Sequence, residues 1–326
     1  MYSFSDIFGN KQLIENLKKS LQNSTLSHAY LFLGPSGIGK TLLSYTFAKS
    51  ILCEEEYPPC GICSSCRVFD NYNNPDFIKI STYSKTIGVE IIRDVIKDII
   101  IPPNGNKKIL LIDNVDIMTV AAQNSLLKTL EEPPKYLIIM LLGISKNNLL
   151  VTLLSRCTII NMLPLPDEDV MLYAKKNNIH ENRFYINYAA GNIGTLIKIS
   201  SDEDFKNLRN FTIDFLLNLE NASLDSVFDL FKNLEERRDK INEILSIMQI
   251  FFRDCLILIS SNFKNDAHDY IIQYDNINII SSYARNLTIE QIIKRNDAIN
   301  FTIDVLSKNA NFQMAIEVML IRIRQS

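Results

Sequence analysis

Residues Gly34-Pro35-Ser36-Gly37-Ile38-Gly39-Lys40-Thr41 satisfy the spacing G-x-x-x-x-G-K-[ST], the feature that most narrows what this chain can fold into. The loop works only where a strand delivers the chain and a helix N-terminus receives it. Both are predicted here: the apolar run Ala29 to Leu33 reads as a strand, and a helix is expected to start near Gly39. The glycines let the backbone wind so that several N–H groups point inward, and the helix presents its positive end to an anion. Lys40 would reach the outer phosphates, and the Thr41 hydroxyl would ligate Mg²⁺. The candidate nucleotide-binding residues are therefore Gly34, Ser36, Gly37, Gly39, Lys40 and Thr41, with ATP or ADP and Mg²⁺ as the expected ligands.

The rest of the first half fits this frame. Short apolar runs alternate with amphipathic helical stretches up to about Pro164, the pattern of a parallel sheet covered by helices. Strands are predicted at Ala29 to Leu33, Phe77 to Ser81, Lys108 to Ile112, Leu137 to Leu142 and Thr158 to Met162, and a helix at Ala122 to Glu132 ended by Pro133 and Pro134. Asp113, at the end of Lys108-Ile109-Leu110-Leu111-Ile112, supplies the carboxylate that completes a phosphate-loop site by holding the magnesium shell. Asp116 is expected to face elsewhere.

Beyond Pro164 and Pro166 strand signals stop. Helical periodicity takes over, broken near Ala190-Gly191-Asn192 and at Ser200-Ser201-Asp202-Glu203-Asp204. Three parts are expected: a core over 1–164, a small helical segment over 165–205, and an all-helical domain over 206–326. Ile241 to Ile259 reads as a helix buried on nearly every side, and Ile316, Met319, Leu320 and Ile323 as one face of a final amphipathic helix.

Cys53, Cys60, Cys63 and Cys66 form C-x6-C-x2-C-x2-C. Four thiolates with two-residue gaps suit tetrahedral Zn²⁺, and four protein ligands leave no open position for catalysis, so the metal would be structural. An iron–sulfur cluster or inert buried cysteines are the alternatives, although iron–sulfur ligation usually favours other spacings. Cys157 and Cys255 stand alone and read as core residues.

A net charge of -3 and a pI near 5.8 give no general positive field, so any DNA contact would be a local patch or shared with partners. The N-terminal MYSFSDIFGNKQ carries charge too early for a secretory leader, and no apolar stretch approaches about 18 residues. The protein is expected to be cytoplasmic, with no membrane partner. Six cysteines in that compartment are not expected to form disulfides.

A phosphate loop followed by a four-cysteine insert before the next strand is not general among phosphate-loop proteins. Three further stretches accompany it: Ser27-His28-Ala29-Tyr30-Leu31-Phe32, Asn124-Ser125-Leu126-Leu127-Lys128-Thr129-Leu130-Glu131-Glu132-Pro133-Pro134, and Ser155-Arg156-Cys157. Together they make the chain resemble the bacterial DNA polymerase III clamp-loader subunits, gamma/tau and delta-prime. The resemblance covers essentially the whole chain, most weakly in the last third. It implies an α/β AAA+ core, a small helical lid and an all-α C-terminal collar through which five subunits assemble, with the sliding clamp and primed DNA reached through the complex. It also implies that Arg156 acts as a catalytic arginine finger in the ATP site of a neighbouring subunit. His28 could be an ordinary packed histidine and is given no chemistry.

Within that resemblance the chain departs from the hydrolysing pattern. Active AAA+ members usually carry a glutamate after the strand-end aspartate, and here the residue is Asn114, which can orient water but cannot take its proton. The sensor position falls near Gly143 and Ile144, and Ala189-Ala190-Gly191-Asn192-Ile193-Gly194-Thr195 lacks the arginine of motor subunits. The expectation is a delta-prime-type subunit whose own ATPase is weak or absent. Two other readings stand beside it: a gamma-type subunit with working ATPase, and a zinc-dependent DNA-binding module resting on the cysteines alone.

Overall fold

The structure, a computed structural model, describes residues 2–81, 86–179, 182–222 and 227–325. The chain divides into two compact units, Met1–Ile179 with Ala189–Leu196, and His180–Tyr188 with Ile197–Ser326.

The first unit is built on a five-stranded sheet of β1 (Ala29–Leu33), β2 (Phe77–Ile80), β3 (Lys108–Ile112), β4 (Leu137–Gly143) and β5 (Thr158–Asn161). The order is β2-β3-β4-β1-β5 and every pairing is parallel. All five predicted strands are present. The predicted ends differ by one residue in three of them: β2 and β5 stop one residue early and β4 runs one residue further. Alternation sorts side chains to the two faces. Leu31, Leu110 and Ile139 pack under α4 (Val89–Ile100) and α5 (Val120–Glu131), whereas Tyr30, Phe32, Leu111 and Met140 pack under α1 (Lys11–Gln22), α2 (Lys40–Leu52) and α3 (Ser64–Asp70). Because both faces are covered, the central strands read as unbroken apolar runs.

Helix α5 begins two residues before the predicted start. The Thr119 hydroxyl caps it by accepting the Ala122 N–H at 3.2 Å, and the helix ends just before Pro133 and Pro134 as expected. A short α6 (Val151–Leu154) precedes β5, and α7 (Asp167–Lys176) follows it. The segment 165–205 also holds α8 (Arg183–Tyr188) and α9 (Ile193–Ser200), and it contributes residues to both units.

The second unit is helical: α10 (Glu203–Asn221), α11 (Val227–Glu235), α12 (Ile241–Ser260), α13 (Ile277–Ala284), α14 (Ile289–Ser307) and α15 (Phe312–Gln325). The acidic break places Asp202 as the N-cap of α10, where its carboxylate accepts the N–H groups of Asp204 and Phe205. Ile244, Met248, Phe251, Phe252 and Cys255 are buried around α12, and Ile316, Met319, Leu320 and Ile323 are all buried on α15, as their spacing predicts. No helix among the described residues is long and apolar enough to cross a membrane.

Candidate functional site

The phosphate loop sits at the carboxyl edge of the sheet, between the end of β1 and the first turn of α2. Gly37 (φ +83) and Gly39 (φ +99) both adopt left-handed backbone, where an L side chain is strained, and Gly39 serves as the N-cap of α2. Lys40 is partly buried and folds back over the loop, its Nζ donating to the carbonyls of Gly34 at 2.7 Å and Pro35 at 2.9 Å. Burial pushes the Lys40 pKa down, while the carboxylates of Asp116 and, more weakly, Asp113 oppose that shift. Thr41 is exposed in the first turn of α2. Asp113 lies just past β3, with one carboxylate oxygen accepting the Asn114 N–H at 3.0 Å. The structure thus brings the predicted loop and Asp113 to one edge, with the helix N-terminus aimed at the loop.

Two neighbours of this site escape a sequence reading. Asp116, two residues past Asn114, was expected to face elsewhere. Instead Asn114 takes left-handed backbone (φ +56), and the 3-10 turn Val115–Ile117 carries Asp116 back toward the end of β4. There its carboxylate accepts the N–H groups of Ile144 at 2.6 Å and Ser145 at 3.1 Å, and its charge acts on Lys40. The second neighbour is the start of α9 with the residue before it. Asn192 Nδ2 donates to the Ser36 carbonyl at 2.5 Å, and the Gly194 N–H to the Gly37 carbonyl at 3.1 Å. A Cβ at Gly194 would stand 2.6 Å from that carbonyl oxygen, so this close approach requires glycine.

The four cysteines of the insert converge. Cys53 ends α2, Cys63 caps α3, and all four sulfurs lie within 4.8 Å of one another, with Cys60 and Cys66 3.9 Å apart. A tetrahedron of Zn–S bonds near 2.3 Å places sulfurs about 3.8 Å apart, so a small contraction would close the cage on zinc. Backbone N–H groups already point at the sulfurs: those of Cys63 and Ile62 at Cys60, and that of Cys66 at Cys63. The N–H groups of Cys63 and Ile62 draw the Cys60 thiol down to about 7, favouring the thiolate a metal needs. Burial pushes Cys53 and Cys66 the other way. The Lys49–Asp70 ion pair at 2.8 Å ties α2 to α3 beside the insert. Of the two remaining cysteines, Cys255 is fully buried and Cys157 is partly buried against the sheet core, in line with the sequence reading.

Arg156 follows α6 on the surface, 33% exposed. Its Nη1 donates to the Thr152 carbonyl at 2.7 Å and to the Ser155 hydroxyl at 3.3 Å, and its Nη2 pairs with Glu131 at 2.7 Å. His28, given no chemistry, is exposed and not packed; its backbone carbonyl serves the sheet by accepting the Ile139 N–H.

Comparison with known proteins gives the family. The family model for DNA polymerase III, delta subunit, matches residues 9–166, and that for DNA polymerase III, delta subunit, C terminal, matches 203–325. The Haemophilus influenzae subunit delta' is 31% identical over 237 residues, 70% of each chain. The tau/gamma subunit of the same species is 36% identical over 171 residues, 52% of this chain and 25% of that protein. The Bacillus subtilis tau subunit is 37% identical over 157 residues, 47% of this chain and 28% of that protein. Thus the chain spans about a quarter of the length of the tau relatives it matches.

Proposed function

Since the chain belongs to the DNA polymerase III clamp-loader subunits of the gamma/tau and delta-prime type, we propose that it is the delta-prime member, a largely non-motor subunit assisting ATP-dependent loading of the sliding clamp onto primed DNA. Its partners would be gamma/tau and delta subunits in a pentamer, with the core over 1–164, a lid over 165–205 and a collar over 206–326. One observation carries the non-motor reading. Asn114 stands where a base is needed, and the nearby carboxylate of Asp116 already has each oxygen engaged by a backbone N–H. Removing a positioned base costs about 10²–10⁴ in rate.

Bound Mg²⁺ would neutralise phosphate charge at this site. Lys40 would exchange the carbonyls of Gly34 and Pro35 for phosphate oxygens, Thr41 and Asp113 would hold the metal shell, and the N–H groups of Gly37 to Lys40 would line the loop. The four cysteines would hold structural zinc. Arg156 would act in trans, its guanidinium stabilising charge on a neighbour's transferring phosphoryl group, where such a group is worth about 10³–10⁵ in rate.

The test is Arg156→Ala in a loader reconstituted with gamma/tau and delta. Clamp-stimulated hydrolysis and clamp loading are expected to slow at least tenfold, with assembly unchanged on gel filtration. Normal loading by that complex would refute the trans role. The intact loop geometry and the 36–37% identity to tau relatives favour a second reading, a gamma-type ATPase. That reading requires motor-level turnover by this chain, abolished by Lys40→Ala.

A further inference from the structure

We propose that Glu131 is a positioning residue that parks Arg156 away from the neighbouring site and so sets how much ATP is needed to engage it. The inference rests on the trans role of Arg156 given above.

Both terminal nitrogens of the Arg156 guanidinium are occupied within the chain: Nη1 by the Thr152 carbonyl and the Ser155 hydroxyl, Nη2 by Glu131 at 2.7 Å. Thr152 and Ser155 lie on the same short segment as the arginine and travel with it. Glu131 does not. It is the last residue of α5, a separate helix packed beneath the sheet, so the Glu131 pair is the contact that fixes the side chain to the body of the domain. Its place at a helix C-terminus adds to the attraction, since the free carbonyls there carry partial negative charge.

The pair is also weak enough to open. Arg156 is 33% exposed and Glu131 49%, on the rim of a surface recess, and partly exposed ion pairs are screened by water. A triphosphate in an adjacent subunit offers more charge and a geometry that also suits the guanidinium fork. Arg156 therefore has two partners in competition, the carboxylate on α5 and the phosphate across the interface. Every molecule held in the parked state lowers the apparent affinity for the ATP that recruits it.

The test uses the reconstituted loader with Glu131→Gln, which keeps the side-chain shape and removes the competing charge. Half-saturating ATP for clamp-stimulated hydrolysis is expected to fall about 2–5-fold, the ratio that matches the strength of an exposed ion pair, with kcat within a factor of two of wild type. Glu131→Ala should give the same shift, and melting curves of each isolated variant check the fold. In an Arg156→Ala background the shift should vanish. A fall in kcat with half-saturation unchanged would show that Glu131 holds the finger in its productive pose and overturn the parking role. No shift, or a shift that persists without Arg156, would overturn it as well. If Arg156→Ala alone leaves hydrolysis and loading normal, the trans role itself fails, an outcome distinguishable from failure of parking alone.

Discussion

Arg295 shows how this chain uses charge where no chemistry is expected. Only 2% of its side chain is exposed, and its Nη1 donates to Glu220 and to the Tyr283 hydroxyl, each at 2.5 Å. Burial pushes the Glu220 pKa up, but the hydrogen bond and charge of Arg295 outweigh burial and hold it below the usual carboxylate range. A carboxyl group lowered in the folded state contributes stability above its unfolded pKa, about 4.3 for Glu, and that contribution is lost as pH falls through the folded value. Glu220→Gln is therefore expected to cost about 2–3 kcal/mol near pH 7, less than a fully buried pair because Glu220 is partly exposed. Urea unfolding of both proteins from pH 7 down to pH 3 checks this: the gap between the two curves should begin to close below about pH 4.3 and go on narrowing down to pH 3. A constant difference across that range would remove Glu220 ionisation as the cause.

At the scale of elements, what the sequence displays depends on how local the determining physics is. The central strands are legible because burial on both faces leaves unbroken apolar runs, and α5 has a visible stop because Pro133 and Pro134 follow its last turn. The phosphate loop and the cysteines are legible because their spacing along the chain is itself the geometry, and Asp113 because it closes an apolar strand run. Asp116 was missed because the chain abandons strand geometry at Asn114, an αL residue with no obligatory sequence mark. Asn192 and Glu131 were missed for another reason: their partners lie 156 and 25 positions away, and only folding brings them together. The cysteine insert is a similar test of local against global stability. One zinc per chain is expected by elemental analysis, and Cys60→Ser should abolish it. Limited proteolysis should then cut within residues 53–66 while the helical and sheet content of the remainder persists. Full metal occupancy in Cys60→Ser would argue against a four-cysteine site.

In the whole molecule, two sites of opposite character share the first unit. The loop over 34–41 has the left-handed glycines, the N-terminus of α2 and Lys40 that would grip a triphosphate, while the residue after Asp113 is Asn114 and each oxygen of Asp116 accepts a backbone N–H. On the surface after α6, Arg156 makes a partly exposed ion pair with Glu131, which in the proposed reading would hold the arginine in reserve. A subunit so built would gain more from lending its cation than from spending its own nucleotide. The most direct measurement is to determine ATP binding and steady-state hydrolysis on one sample of the purified chain with Mg²⁺ and primed DNA. Saturable binding that Lys40→Ala removes is expected, with turnover at least 100-fold below the roughly 1 s⁻¹ lower end of ordinary enzymes. Turnover of 1 s⁻¹ or more, lost in Lys40→Ala, would contradict this expectation.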